Sequence, residues 1–197
     1  MDIYVTINNL KYYFYCMIKI NNKLIELLFF KGYDNFQKSD LFLEICDLIF
    51  KIIPVKVKKK ENSAVISIDE NAGILLLKEL KNIILPQYNQ LKNENSDILI
   101  KLKRLRNKVE HEPHNIDTSF ILSGNNLYRE VSFFNYIYKG ENISISTDEL
   151  IKVINKLNKC FSDIQQELAN YKKDIILNKD TYYHKLINEH FFEIKMN

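Results

Sequence analysis

Between Lys101 and Asn115 the chain reads KLKRLRNKVEHEPHN, which gathers two of its three arginines and two of its four histidines into one short stretch. Elsewhere positive charge is carried almost wholly by lysine. The difference matters because a guanidinium grips two phosphate oxygens with a planar fork, whereas an ammonium is a point charge. Arg106, Asn107 and His111 are the candidate chemical residues: a cation for phosphate, an amide that orients by hydrogen bonding, and an imidazole that titrates near neutrality. Lys101, Arg104 and Lys108 follow at i, i+3 and i+7 and form an adjoining basic strip.

On an ideal helix His111 lies about 140° around from Arg106, so one straight helix cannot aim both at one atom. Either the backbone bends, or a second copy of the motif completes the site. Pro113 favours the bend, because it pushes Glu112 out of the helical region and leaves His111 in the last turn. A helix C-terminus also favours a protonated imidazole, which suits proton donation or contact with phosphate.

Plainer readings stand beside these. Arg106 and Glu110 are i, i+4 partners, and a surface ion pair worth under about 0.5 kcal/mol accounts for both. His111 reads equally as a helix cap and Asn107 as a solvated side chain. Glu110, His111, Glu112 and His114 offer metal ligands, but the two histidines straddle a proline, and His184 and His190 form no second cluster with ligand spacing. No metal or other cofactor is expected. Cys16, Cys46 and Cys160 fall near apolar faces and read as core thiols rather than nucleophiles. Four glycines are too few for a glycine-rich phosphate loop.

The elements that must position these residues are mostly helices. Leu10, Phe14, Met17, Leu24 and Leu28 mark a long first helix; Leu41, Ile45, Leu48 and Ile52 mark a second, with Ser39 as its cap and Pro54 as its stop. VKVKKKENS reads as an exposed loop, solvated or in contact with phosphates. Asp69 is expected to open a third helix with Leu77, Leu80 and Ile84 inward and a kink near Pro86. Ser96 caps the helix that carries the candidate residues, with Ile98, Leu102, Leu105 and Val109 as its apolar stripe. From about 118 to 146 the pattern changes to β-branched and aromatic residues broken by turn signals, which predicts a small antiparallel hairpin or meander. Thr147 then caps a fifth helix with a stripe from Leu150 to Tyr171, and a last helix is expected from about 180 to 194.

The 197 residues, 46% hydrophobic, suffice for one domain that buries about 70% of its unfolded surface. No linker or repeat divides the chain, so 1–197 reads as a single mainly α domain: an antiparallel bundle with a β insertion. A net charge of +3 gives no global field for a polyanion, and any such partner must be met by a local patch. Three cysteines without a C-x-x-C pair fit a reducing compartment. No leader and no membrane span is read, and a cytoplasmic protein is expected.

The run Arg106-Asn107-x-x-x-His111 resembles the signature of the HEPN superfamily: an arginine, a polar residue, and a histidine after four to six intervening positions. Arg104 to His111 also satisfies the longest of these gaps. The resemblance extends in architecture to a helical bundle, with the motif near the end of a late helix and a β-hairpin and long helix after it. It implies a metal-independent endoribonuclease in which two protomers face each other and form one cleft. His111 would act as general base or acid around the ribose 2′-hydroxyl and the leaving 5′-oxygen, Arg106 would hold the scissile phosphate, and Asn107 would orient one of these groups. Lys101, Arg104 and Lys108 would bind RNA. The resemblance further implies a toxin or phage-defence role. The alternative it carries is a non-catalytic scaffold that binds RNA or a protein such as a nucleotidyltransferase-like antitoxin.

Overall fold

The computed structural model describes residues 3–30, 32–60, 63–76, 78–111, 119–126 and 129–171. The chain is mainly helical, with two small antiparallel sheets. Helices α1 (Ile3–Phe29) and α2 (Asn35–Ile52) are followed by a hairpin of β1 (Val55–Lys60) and β2 (Ser63–Ile68), then a 3-10 turn at Gly73–Leu76. Next come α3 (Lys78–Glu94) and α4 (Ser96–His111), a meander of β3 (Ser119–Asn126), β4 (Arg129–Tyr138) and β5 (Glu141–Ser146), and α5 (Thr147–Tyr171). The helix expected over 180–194 lies outside the described residues.

The apolar stripes pack as one core. Leu10, Phe14, Met17, Ile20 and Leu24 of α1 meet α2 on one side and α5 on the other. Phe14 and Phe161 sit edge to face at 5.3 Å, a favoured aromatic arrangement. Between them and the C-terminal end of α1, Asn21 and Asn158 are both buried and exchange two amide hydrogen bonds of 2.9 Å. These contacts set α1 and α5 antiparallel.

The caps of α2, α4 and α5 each lie upstream of the expected residue. Asp34 caps α2, not Ser39: its carboxylate accepts from the Gln37 backbone at 2.8 Å, and the Gln37 side chain accepts from the Asp34 N–H at 3.0 Å. Ser39 is buried inside the helix. Asn95, not Ser96, gives α4 its first carbonyl, to Leu99 N at 3.0 Å. Ser146, not Thr147, caps α5, with Glu149 closing the reciprocal box at 2.8 and 3.1 Å.

In the segment expected as a loop, VKVKKKENS, residues 55–60 and Ser63 are strand, and Glu61 and Asn62 lie outside the described residues. Val55 faces the core and is buried, Val57 is partly buried, and Lys56 and Lys58 alternate outward, the period-2 pattern of a half-buried strand. Asp69 does not open α3. It accepts from the Asn71 N–H at 3.3 Å and pairs with Lys56 at 2.7 Å, and α3 begins at Lys78. Leu77 and the side chain of Leu80 lie outside the described residues; Ile84 is fully buried and Pro86 lies within the helix.

The meander pairs in sequence order, with a register irregularity between Leu122 and Asn125. Lys139 (φ 52°) and Gly140 (φ 82°) form the two-residue loop between β4 and β5, the mirror-image turn whose twist matches the strands. Phe134 of β4 stacks on Phe42 of α2 at 4.5 Å with planes 8° apart, which fastens the meander to the bundle.

Replacing Asn21 with Leu strands the Asn158 amide in a dry core and is expected to cost about 1–3 kcal/mol. Replacing Asn158 with Leu as well should recover part of that loss, because no orphaned amide is left. Urea unfolding of the two single variants and the double variant measures the coupling, and purely additive losses would contradict it.

Candidate functional site

Helix α4 buries Leu99, Leu102 and Leu105 completely, with Ile98 and Val109 packed at the margins. Its five cations must therefore leave along the flanks or the outer face. At about 100° per residue, Arg106 lies on one flank of the stripe and Lys101 and Lys108 on the other. Lys103, Arg104, Asn107 and the backbone position of His111 lie away from it.

Arg106 faces α2. Its Nη1 pairs with Glu110 one turn later, and its Nε stands 3.6 Å from Asp47 Oδ1. That Nε is buried and finds no hydrogen-bond partner among the described residues. Asp47 is itself shared with Lys51 at 2.6 Å. Arg106 is 26% exposed, so it reaches solvent with two carboxylates already at its edge. Beside it, Lys103 lies over the Phe50 ring at 4.9 Å, and partial burial together with the Arg106 charge pulls its ammonium below the usual lysine range.

The basic strip faces the meander. Lys101 Nζ donates to Glu149 Oε1 at 3.1 Å and to the Ser144 carbonyl at 3.2 Å, while its own carbonyl accepts from Tyr136 OH at 2.6 Å. Lys108 Nζ donates to the Ile137 carbonyl. Arg104 lies over the Tyr138 ring, with its guanidinium carbon 5.4 Å from the centroid. Two of the three expected phosphate contacts thus serve as ties between α4 and the β insertion.

Asn107 is half-buried rather than fully solvated. Helix α4 continues through His111, so the backbone does not bend between Arg106 and His111. The Cα of His111 falls about 7.5 Å along the axis and about 140° around from Arg106. Arg104, Asn107 and His111, at i, i+3 and i+7, fall instead within about 60° of one another. The structure brings Asn107 and His111 to one face with Arg104, and places Arg106 on another.

Sequence reasoning missed Asp47, Glu149 and Tyr138 as partners of these cations. Glu149 carried a legible signal in Ser146-x-x-Glu149, the spacing of a capping box. Asp47 and Tyr138 carried none, since their roles come from tertiary packing alone.

Cys160 borders a small surface pocket with Gln87, Lys156 and Asp163, while Cys16 and Cys46 are buried in the core. Cys46 is fully buried and donates to the Leu102 carbonyl at 3.2 Å; burial, and then the Asp47 charge, push its thiol far above the usual range. Burial raises Cys16 and pushes Cys160 up to about 12. Among the described residues no three His, Cys, Asp or Glu side chains converge as a metal set, and Glu112 and His114 lie outside them. No helix of the described residues is long and apolar enough to cross a membrane. No protein-family model, curated protein or solved structure matches the chain.

Two measurements follow from this geometry. Glu149→Ala removes both the α5 capping box and the Lys101 partner, and is expected to cost about 1–2 kcal/mol, against under about 1 kcal/mol for Lys101→Ala, because both groups are about one-third exposed. Equal urea midpoints for the two would refute the double role. The raised thiols also set an alkaline limit. Each binds its proton more tightly folded than unfolded, so its contribution is full below about pH 9 and falls as pH rises toward about 12 for Cys160. Stability should decline over that window, and Ellman's reagent should label all three cysteines only after unfolding.

Proposed function

We propose that this chain is a metal-independent endoribonuclease of the HEPN type, acting as a homodimer. The observation that carries the reading is the unbroken helix α4, which ends at His111 with Asn107 and Arg104 on the same face and Arg106 on another. Two such helices facing each other would reconcile a histidine and an arginine that one helix holds about 140° apart. Phe29, Phe30 and Phe36, between 53% and 79% exposed at the α1–α2 turn, offer apolar area for a second copy.

The chemistry needs no cofactor. The ribose 2′-oxygen attacks the adjacent phosphorus as its proton passes to a base, and the bond from phosphorus to the 5′-oxygen breaks as that oxygen takes up a proton. The products are a 2′,3′-cyclic phosphate and a 5′-hydroxyl. His111 fits the acid or base, since an imidazole exchanges protons near neutral pH. Asn107 orients a reacting group, and a guanidinium, which the resemblance assigns to Arg106, stabilises charge developing on the phosphate. The biological role this suggests, by analogy with the superfamily alone, is a toxin or phage-defence effector.

One observation favours a second reading. Arg106 already meets Asp47 and Glu110, and Lys101 meets Glu149, which suits a non-catalytic scaffold that binds RNA or a protein partner such as a nucleotidyltransferase-like antitoxin.

The deciding experiment incubates the purified chain with total RNA and a tRNA pool in EDTA, beside His111→Ala. Cleavage that survives chelation, leaves cyclic phosphate ends and falls at least a hundredfold in the variant is the expected outcome. Intact RNA retained by the wild-type protein would instead establish the scaffold.

A further inference from the structure

We infer that the arginine that grips phosphate on α4 is Arg104 rather than Arg106, and that Tyr138 of β4 is its positioning residue. The inference rests on the ribonuclease reading for the identity of the ligand, a phosphodiester of RNA, but it is argued from the surroundings of the two side chains.

A guanidinium binds phosphate through the N–H groups along its edges, and each edge can serve one fork. In Arg106, Nη1 is engaged by Glu110 and Nε lies 3.6 Å from Asp47 without a hydrogen bond, so a phosphate that reaches this guanidinium arrives beside two carboxylates. The nearest charges are also of the phosphate's own sign. Arg104 has the opposite surroundings. Its contact is with the face of the Tyr138 ring, at 5.4 Å, and among the described residues it has no ion pair or hydrogen bond. The ring is a neutral neighbour, so a phosphate that approaches this guanidinium has no carboxylate to displace there. It also restricts the side chain, so less freedom is lost when phosphate binds.

Position along the helix agrees. Arg104, Asn107 and His111 follow at i, i+3 and i+7 on one face, with Arg104 and His111 about 20° apart in azimuth and about 10.5 Å apart along the axis. That separation suits a strand whose scissile phosphate lies near the helix end and whose neighbouring phosphate reaches the preceding turns. The β insertion then contributes to binding as well as to packing, since Tyr138 ends β4 at the turn of Lys139 and Gly140, where it meets Arg104.

The test uses the full chain and a single-stranded RNA oligonucleotide in two forms, unmodified for cleavage and 2′-O-methylated for binding by fluorescence anisotropy at several salt concentrations. Arg104→Gln should weaken binding at least tenfold and flatten the slope of log affinity against log salt by about 0.7. Arg104→Lys should keep the slope and lose most of the cleavage, and Tyr138→Leu should weaken binding severalfold with an unchanged slope. Arg106→Lys, which keeps a cation beside Asp47 and Glu110, should cost less than Arg104→Lys in both assays. The reverse ranking, or equal losses at the two arginines, overturns the assignment while leaving the ribonuclease reading intact. Binding that depends on Arg104 without cleavage of the unmodified strand supports the phosphate grip and overturns the enzyme. A wild-type protein that binds neither strand overturns both.

Discussion

Helix α4 must bury one side in the core while it carries five cations, and the surrounding elements are arranged around that conflict. A lysine or arginine beside a fully buried leucine has two ways out: it extends to solvent along its apolar stem, or it finds a partner that replaces the water it loses. Here the partners come from both sides. Helix α2 supplies Asp47 and Phe50 on one flank; β4, β5 and the start of α5 supply the Ile137 and Ser144 carbonyls, the Tyr138 ring and Glu149 on the other. Each of these contacts is weak when partly exposed, about 1 kcal/mol or less. Their sum matters less than their placement, because together they fix the rotation of α4 about its own axis and hence the direction in which its outer face looks.

The β meander belongs to the same arrangement. It is anchored apolar to apolar by Phe134 on Phe42, and polar to polar by the Tyr136 hydroxyl on the Lys101 carbonyl. The second contact is informative because the amide of a residue four positions later normally takes that carbonyl within a helix, and a carbonyl has two lone pairs. A buried phenol can therefore join the sheet to the helix without breaking the helix. Glu149 makes a third joint. One of its oxygens closes the α5 capping box and the other holds Lys101, so the start of α5 and the middle of α4 share one carboxylate.

What could be read from the sequence, and what could not, follows the range of the interactions involved. The apolar stripes of α1, α2, α4 and α5, and the β-branched run that became the meander, were legible because burial imposes a period of 3.6 or 2 on the chain itself. The caps were misplaced by one to five residues because Ser39, Ser96 and Thr147 are each plausible in isolation; the reciprocal partners Gln37 and Glu149 select Asp34 and Ser146 instead. VKVKKK was missed as strand because its lysines outweighed the alternation of Val55 and Val57. For the candidate site, the residues and their helix were legible, as was the azimuthal separation of Arg106 from His111. That the helix would stay straight through His111, and that Asp47 would meet Arg106, depended on packing between elements far apart in the chain.

That packing changes how the two arginines compare. From residue types alone, Arg106 is the stronger candidate, since it directly precedes Asn107 in the run that resembles the HEPN signature. Once the helix is packed, Arg106 becomes a fastening between α4 and α2, with carboxylates where a phosphate would need to be. A carboxylate beside a guanidinium competes with any other anion that approaches it. An arginine that helps to fix the helix is a poor choice for binding an anion that comes and goes. Arg104 is fixed by a ring face instead, and a ring face carries no charge that a phosphate must displace. The same β insertion that orients α4 thus meets one guanidinium with a ring and, among the described residues, with no carboxylate, on the face where Asn107 and His111 fall.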